Sequence, residues 1–462
     1  MTRSISTAHT ELSVRNYASY ATTAFFIGLA SVAFGASDLI MVAPKGLEQS
    51  AAVAAGDLIV VGLFAFLFGI TDFFAGRLAM VEGQHQTSRH LRVLVAVLAV
   101  LIVVSQIIAV VLSIPLDRLL ELGGQDTNLI PLIGDYVSVR LYGVGLYIAY
   151  VAANEALKTC GLKQVALIIL IGGVGANVGL DWLVLYGPFQ GWFASPTQAI
   201  AWVTIGVQLM MAVASVAVFV RQIYHRDGRL GPFSRLAFSR TLSQAIRVAP
   251  GIGVRHLNDY AGAIVSLFVV GTLGVQALAS FAVAAKIYTI FARVPQACVS
   301  ATFVYYGYEV GRQTPPRQLA SRATQMVRYT TVPTVIAGVI VVGLSPWLVI
   351  WFGSDEIDRS LAIWFVAAFM ILVPLYIVAA SYGELLTIHQ RGGVLSAVSA
   401  ISTWAIVVPI TAVGVVVFEQ PVVAVGLGGV ISTAFEVWRF RRALRRDQWS
   451  DPRPAISAER DG

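Results

Sequence analysis

"RQIYHRDGRLGPFSRLAFSRTLSQAIR" (residues 221–247) is the longest charged connection in the chain. What flanks it on either side is overwhelmingly apolar. Of 462 residues, 57% are hydrophobic and only 12% charged, and the mean hydropathy is +0.76, a balance foreign to soluble globular proteins. Runs of about 20 apolar residues, each enough to cross roughly 30 Å of hydrocarbon as a helix, recur from end to end. Six precede the charged stretch, at 16–43, 51–80, 91–114, 129–157, 163–188 and 196–221, and six follow it, at 247–272, 278–311, 328–352, 360–388, 394–418 and 420–441. The sequence therefore predicts an all-α polytopic membrane protein of twelve transmembrane helices. Its expected organisation is an N-terminal tail (1–15), a six-helix bundle (16–221), a linker (222–246), a second six-helix bundle (247–441) and a C-terminal tail (442–462).

The net charge of +7 does not point to nucleic acid here, because the basic residues fall where topology needs them. With the N-terminus inside, the inner segments collect Arg3, Arg15, Arg77, Arg89, Arg92, Lys158, Lys163, the arginines of 221–247, Arg312, Arg317, Arg322, Arg328, Arg391 and the series from Arg439 onward. The outer loops hold only Lys45, Arg118 and Arg359. Both termini are predicted to be cytoplasmic. The first span is too long for a signal-peptide core and no clear cleavage site precedes it, so it is expected to be retained. The two cysteines, Cys160 and Cys298, lie in apolar stretches and suggest neither a disulfide framework nor a metal site.

The halves resemble each other. "GLEQSAAVAAGDLI" from Gly46 lies over "GVQALASFAVAAKI" from Gly274, and "NEALKTCGLKQ" around Glu155 over "GELLTIHQRGG" around Glu384, at offsets of 228 and 229. Two matches at nearly one offset indicate an internal duplication. An even number of spans per repeat gives both halves the same orientation, so the bundles are expected to be related by a pseudo-two-fold axis along the membrane normal.

Acids inside the spans single out candidate sites. An ionised carboxylate at the centre of a lone helix costs roughly 3 kcal/mol, so such a group faces a cavity, finds a partner or takes up a proton. Asp181 in "GANVGLDWLVLYG" (175–187) has Asn177 one turn deeper on the same face. Asp38, near the end of the first span, and Tyr136, in the fourth, are placed at similar outer depth. No lysine or arginine occurs near the acids in spans 1 or 5, and Arg140 is expected deeper than Tyr136, so no cation is expected to offset the burial. A proton or a sodium ion held by carboxylate and amide oxygens fits this set equally well. In the second half, Asp259 has Arg255 one turn earlier and Lys286 in the following span, a pattern that suits a neutralised ion pair. Asp57, Asp72, Glu155 and Glu384 are weaker candidates, and His256 and His389 suggest no metal site.

These residues resemble the multidrug and toxic compound extrusion (MATE) family. "SDLIMVAPKGLEQSAAVAA" is similar to the family's Asp-containing first helix and its entry to helix 2, "NVGLDWLVLYG" to its Asn-x-x-Leu-Asp-Pro pattern, and "PGIGVRHLNDYAGAIVSLFVVGTLGVQALASFAVAAKI" to its helices 7 and 8. The resemblance implies that Asp38, Tyr136, Asn177 and Asp181 form the ion-coupling cluster of the bacterial DNA-damage-inducible-type branch, and that Asp259 stands where another branch has a functional acid. The chain departs from the pattern at several positions: Thr22 and Thr23 stand near the family's helix 1 proline, Trp182 replaces the proline after Asp181, and Leu375 lies near a lost helix 10 acid. Trp202 stands near a usual threonine of helix 6.

The expected function is secondary export of a small organic compound, a drug, toxin or metabolite, by proton- or sodium-coupled antiport. The expected carrier is a monomer in the bacterial inner membrane, with membrane lipid around it and no cofactor beyond the coupling ion. Trp202, Tyr142 and Phe281 are expected to line the cargo cavity. A lipid-linked oligosaccharide flippase is the alternative, with only Arg140, Arg255, Lys286 and Arg293 to offer a pyrophosphate. The chain carries no HExxH, GxSxG or paired-Asp metal motif, so no enzymatic role is expected.

Overall fold

The structure of the protein is a computed structural model that describes residues 8–122, 128–227, 230–352 and 357–447. The described residues are helical, with no strand among them. The expected terminal tails lie partly outside them, over 1–7 and 448–462. In chain order the helices are α1 (Val14–Val42), α2 (Leu47–Gly83), α3 (Thr87–Ser113), α4 (Leu116–Leu122), α5 (Ile130–Tyr142), α6 (Val144–Thr159), α7 (Lys163–Leu185), α8 (Pro196–Asp227), α9 (Arg235–Gly271), α10 (Val275–Phe291), α11 (Arg293–Gly311), α12 (Pro316–Phe352), α13 (Arg359–Ile388), α14 (Gly392–Ala400), α15 (Val408–Val416) and α16 (Pro421–Asp447). A π-helical segment, Ile401–Val407, joins α14 to α15.

Among the described residues, ten helical stretches are long and apolar enough to cross a membrane, and α5 with α6, bent by 52° at Gly143, makes an eleventh. The twelfth expected span lies in α9, which has 37 residues and a length of about 55 Å. Arg255, His256, Asn258 and Asp259 lower its hydropathy. Much of the charged connection is itself helical: α8 runs to Asp227 and α9 begins at Arg235, so charge marks where helices leave the hydrocarbon rather than where they end. The side chains facing outward are those a lipid surface requires. On α3, Val100, Val103, Val104, Ile107 and Val111 form an exposed apolar stripe at helical spacing.

The chain groups into two compact units, Phe26–Ile246 and the residues up to Phe25 together with those from Arg247. Within the second unit Tyr17, on the first turn of α1, donates to the Cys298 carbonyl at 2.7 Å and bonds the Thr302 and Thr330 hydroxyls at 2.8 and 2.7 Å. That buried net ties the start of α1 to α11 and α12.

The duplication is written in the backbone. Every described residue with φ between +53° and +130° has a counterpart in the other half: Gly46 with Gly274, His85 with Gln313, Gly161 with Gln390 and Gly191 with Glu419, at offsets of 228 or 229. Each pair marks the same joint between helices. A buried glutamate also recurs near the second of these joints. Glu82 accepts from Thr87 and pairs with Arg226 at 2.6 Å. Glu309 accepts from Thr314 at 2.7 Å and pairs with Arg312 at 3.2 Å and with Arg322.

Candidate functional site

Five helices of the first unit bring their polar residues to one buried point. Asp38 lies one turn before the end of α1, and Asp181 one turn before the end of α7. Tyr136 and Arg140 share a face of α5, Thr204 lies two turns into α8, and Asp57 sits near the start of α2. Packing there is close: a Cβ at Gly56 would meet the Tyr136 ring at 2.6 Å, so the ring's seat exists only because residue 56 is glycine.

The Asn177 amide is the hub. Its nitrogen lies 2.7 Å from Asp38 Oδ1, 3.0 Å from Asp181 Oδ2 and 3.1 Å from Ser37 Oγ. An amide has two hydrogens, so three acceptors compete for them. Asp38 Oδ2 accepts from Thr204 Oγ1 at 2.9 Å and faces Arg140 Nη1 at 3.7 Å. Arg140 also donates to Tyr136 Oη at 2.9 Å, and that hydroxyl is hydrogen-bonded to Asp57. Asp38 is 2% exposed, and Asn177, Asp181, Tyr136 and Thr204 are fully buried. Asn177 Oδ1 and Asp181 Oδ1 have no hydrogen-bond partner in the protein.

Asp38 and Asp57 thus share the Arg140 guanidinium, and Asp181 joins them only through the Asn177 amide, so three carboxylates are grouped with one cation. Ionised and dry, such a set carries two uncompensated negative charges, each expensive in a low-dielectric interior. The two open oxygens next to Asp38 can accept a hydrogen bond or coordinate a hard cation.

The structure brings all four expected coupling residues, Asp38, Tyr136, Asn177 and Asp181, into contact through this network. It corrects the expectation that no cation reaches these acids: Arg140, one turn past Tyr136 on α5, extends its guanidinium to Tyr136 Oη at 2.9 Å and to Asp38 Oδ2 at 3.7 Å. Sequence reasoning missed Thr204 and Ser37, although a threonine two residues past Trp202 was available to find. Trp202 itself is exposed, as are Tyr142 and Trp182.

A second cluster lies in the other unit. A cavity of about 480 Å³ there is lined by Asp259 and Glu436, with Phe281, Tyr288, Phe369 and Tyr376 among the walls. Buried Arg255 donates to Glu384 at 3.3 Å, within electrostatic reach of Asp259 and Glu436. Ser402, on the π-helical segment, is hydrogen-bonded to Glu436. Arg255 therefore serves three acids rather than forming a closed pair with Asp259. Lys286 points out of the cluster and is exposed. Glu436 went unnoticed in the sequence because it reads as part of the charged end of the last span.

The MatE family model matches residues 24–183, which hold Asp38, Tyr136, Asn177 and Asp181. Multidrug resistance protein NorM of Burkholderia vietnamiensis is 23% identical over 292 residues, 62% of this chain and 61% of that protein. The probable NorM of Bradyrhizobium diazoefficiens is 20% identical over 434 residues, covering 90% and 91%. Solved structures share the fold throughout. A MATE transporter in its straight conformation aligns with a TM-score of 0.80 at 16% identity over 95% of this chain and 98% of that one. The Vibrio cholerae transporter VcmN in its bent form gives 0.79 at 13% identity over 94% and 97%. A MOP superfamily transporter from Pyrococcus furiosus gives 0.78 at 17% over 96% and 99%. The chain is thus similar to multidrug and toxic compound extrusion transporters, in sequence over residues 24–183 and in fold over nearly its whole length.

Proposed function

We propose that this protein exports a small organic cation by antiport, driven by inward movement of a proton or sodium ion through the cluster of Asp38, Asn177 and Asp181. The observation that carries the reading is the shared amide: Asn177 bridges two buried carboxylates, one of which keeps an oxygen open. Occupancy by a cation removes their repulsion, and emptying restores it, so the ion favours one arrangement of the bundle over another. That difference in affinity between states is what coupling requires. Each charge moved down 100 mV releases about 2.3 kcal/mol, enough for about fiftyfold accumulation. Residues 16–221 and 247–441 act as the two lobes, 222–246 as their connection, with both termini in the cytoplasm of a bacterial inner membrane.

The cavity of the second unit suits the cargo. Two carboxylates, Asp259 and Glu436, and five aromatic rings line its walls, so a lipophilic cation gains both charge complementarity and contact with ring faces. A flippase for a pyrophosphate-linked lipid needs cations that are available to phosphate. Arg140 and Arg255 are instead bound to carboxylates. The test is binding of a fluorescent lipophilic cation to the purified protein. Asp259→Asn with Glu436→Gln is expected to weaken it at least about tenfold, while Asp181→Asn leaves it within about threefold. Unchanged binding in the double variant moves the cargo site elsewhere.

A further inference from the structure

The far end of α16 carries a feature that neither transport nor ion coupling uses. Arg439, Arg441, Arg442, Arg445 and Arg446 are all exposed, five guanidiniums within eight residues of one continuous helix. At 3.6 residues per turn they occupy an arc of roughly 160°. Phe440 and Leu444, 1% and 0% exposed, form the opposite, packed side. Trp438, itself exposed, stands in the middle of the arginine arc one turn closer to the membrane. Arg439 and Arg442 lie over its ring with guanidinium carbons 5.6 and 5.7 Å from the centroid. An indole at the hydrocarbon boundary followed by a fan of guanidiniums matches the layers of a lipid surface, ring at the interface and cations at phosphate depth.

We propose that this face of α16 is a binding site for anionic phospholipid headgroups. Setting topology needs a surplus of positive charge, but not its concentration on one helical face around an aromatic ring. Guanidiniums bind phosphate oxygens in pairs, and neighbours at spacings of three and four residues can share one headgroup. Because Glu436 of the cavity lies one turn before Phe440 on the same helix, lipid bound here also fixes the helix that carries it.

Full-length protein in phosphatidylcholine nanodiscs with a trace of photoreactive phosphatidylglycerol tests this. Crosslinks are expected to concentrate on the segment 434–446 and to be competed by unlabelled phosphatidylglycerol but not by phosphatidylcholine. Changing the five arginines to glutamine is expected to lower that yield at least about tenfold, a conservative figure against about fivefold per charge. The all-lysine variant should retain more than the glutamine one. A control that neutralises the exposed Arg89, Arg92, Arg317 and Arg328 should leave the segment's yield unchanged. Equal labelling by photoreactive phosphatidylcholine, an unchanged yield in the glutamine variant, or an equal loss in the control overturns the proposal. If the glutamine variant does not fold, the headgroup competition on the unaltered protein and the lysine variant still decide it.

Discussion

Asn177 holds the network together more than either acid it touches. Replacing a carboxylate removes one acceptor, but Asn177→Leu keeps the volume and leaves both Asp38 and Asp181 without their common donor. A hydrogen bond to a charged group contributes about 1.5–3 kcal/mol, so the variant is expected to fold and to lose gradient-driven export at least about tenfold. Thr204→Val, which removes one bond from Asp38, is expected to lose less. Transport rates in proteoliposomes check both; wild-type export by Asn177→Leu contradicts the hub role. At this scale the sequence was informative where a polar residue broke an apolar helix, as at Asp38, Asn177 and Asp181. It was silent about Thr204 and Glu436, since a threonine on a helix and a glutamate near a charged end have ordinary explanations of their own.

Helix joints explain why two halves that share few residues share a course. Gly46 and Gly274 precede α2 and α10 with φ of 130° and 107°, a region that side chains with a Cβ avoid. Alanine at either is expected to destabilise the protein by about 1–3 kcal/mol. Because the joints are equivalent, the two single variants should lower the thermal unfolding midpoint by similar amounts. A drop confined to one half contradicts the equivalence. The glycines were legible as part of a repeated motif. The pairs His85 with Gln313 and Gly191 with Glu419 were not, because the backbone conformation is kept while the side chain is not. Helix ends were likewise hidden: apolarity reports the hydrocarbon boundary, whereas α8 and α9 continue past it through residues with good helix propensity and exposed charge. The approach of Arg140 on α5 to Asp38 on α1 is a matter of packing between helices that periodicity does not reveal.

For the whole molecule, hydropathy alone identified a membrane protein, and the repeat identified its two-part construction. The chemistry of cargo and ion emerges only when charges are counted in three dimensions. Each unit holds a buried guanidinium outnumbered by carboxylates, Arg140 beside Asp38 and Asp57 in one and Arg255 beside Glu384, Asp259 and Glu436 in the other. The first unit's surplus lies in a tight network with two open oxygens, which we propose takes a small ion; the second unit's lies beside an aromatic cavity, which we propose takes a larger one. Export requires that the two be energetically linked. That linkage is tested most directly by export of a fluorescent lipophilic cation from proteoliposomes under imposed proton or sodium gradients, comparing the unaltered protein with Asp181→Asn. One gradient is expected to drive export by the unaltered protein, and the variant is expected to lose this response while still exchanging cargo across the membrane without a gradient. Full gradient-driven export by Asp181→Asn would contradict the linkage.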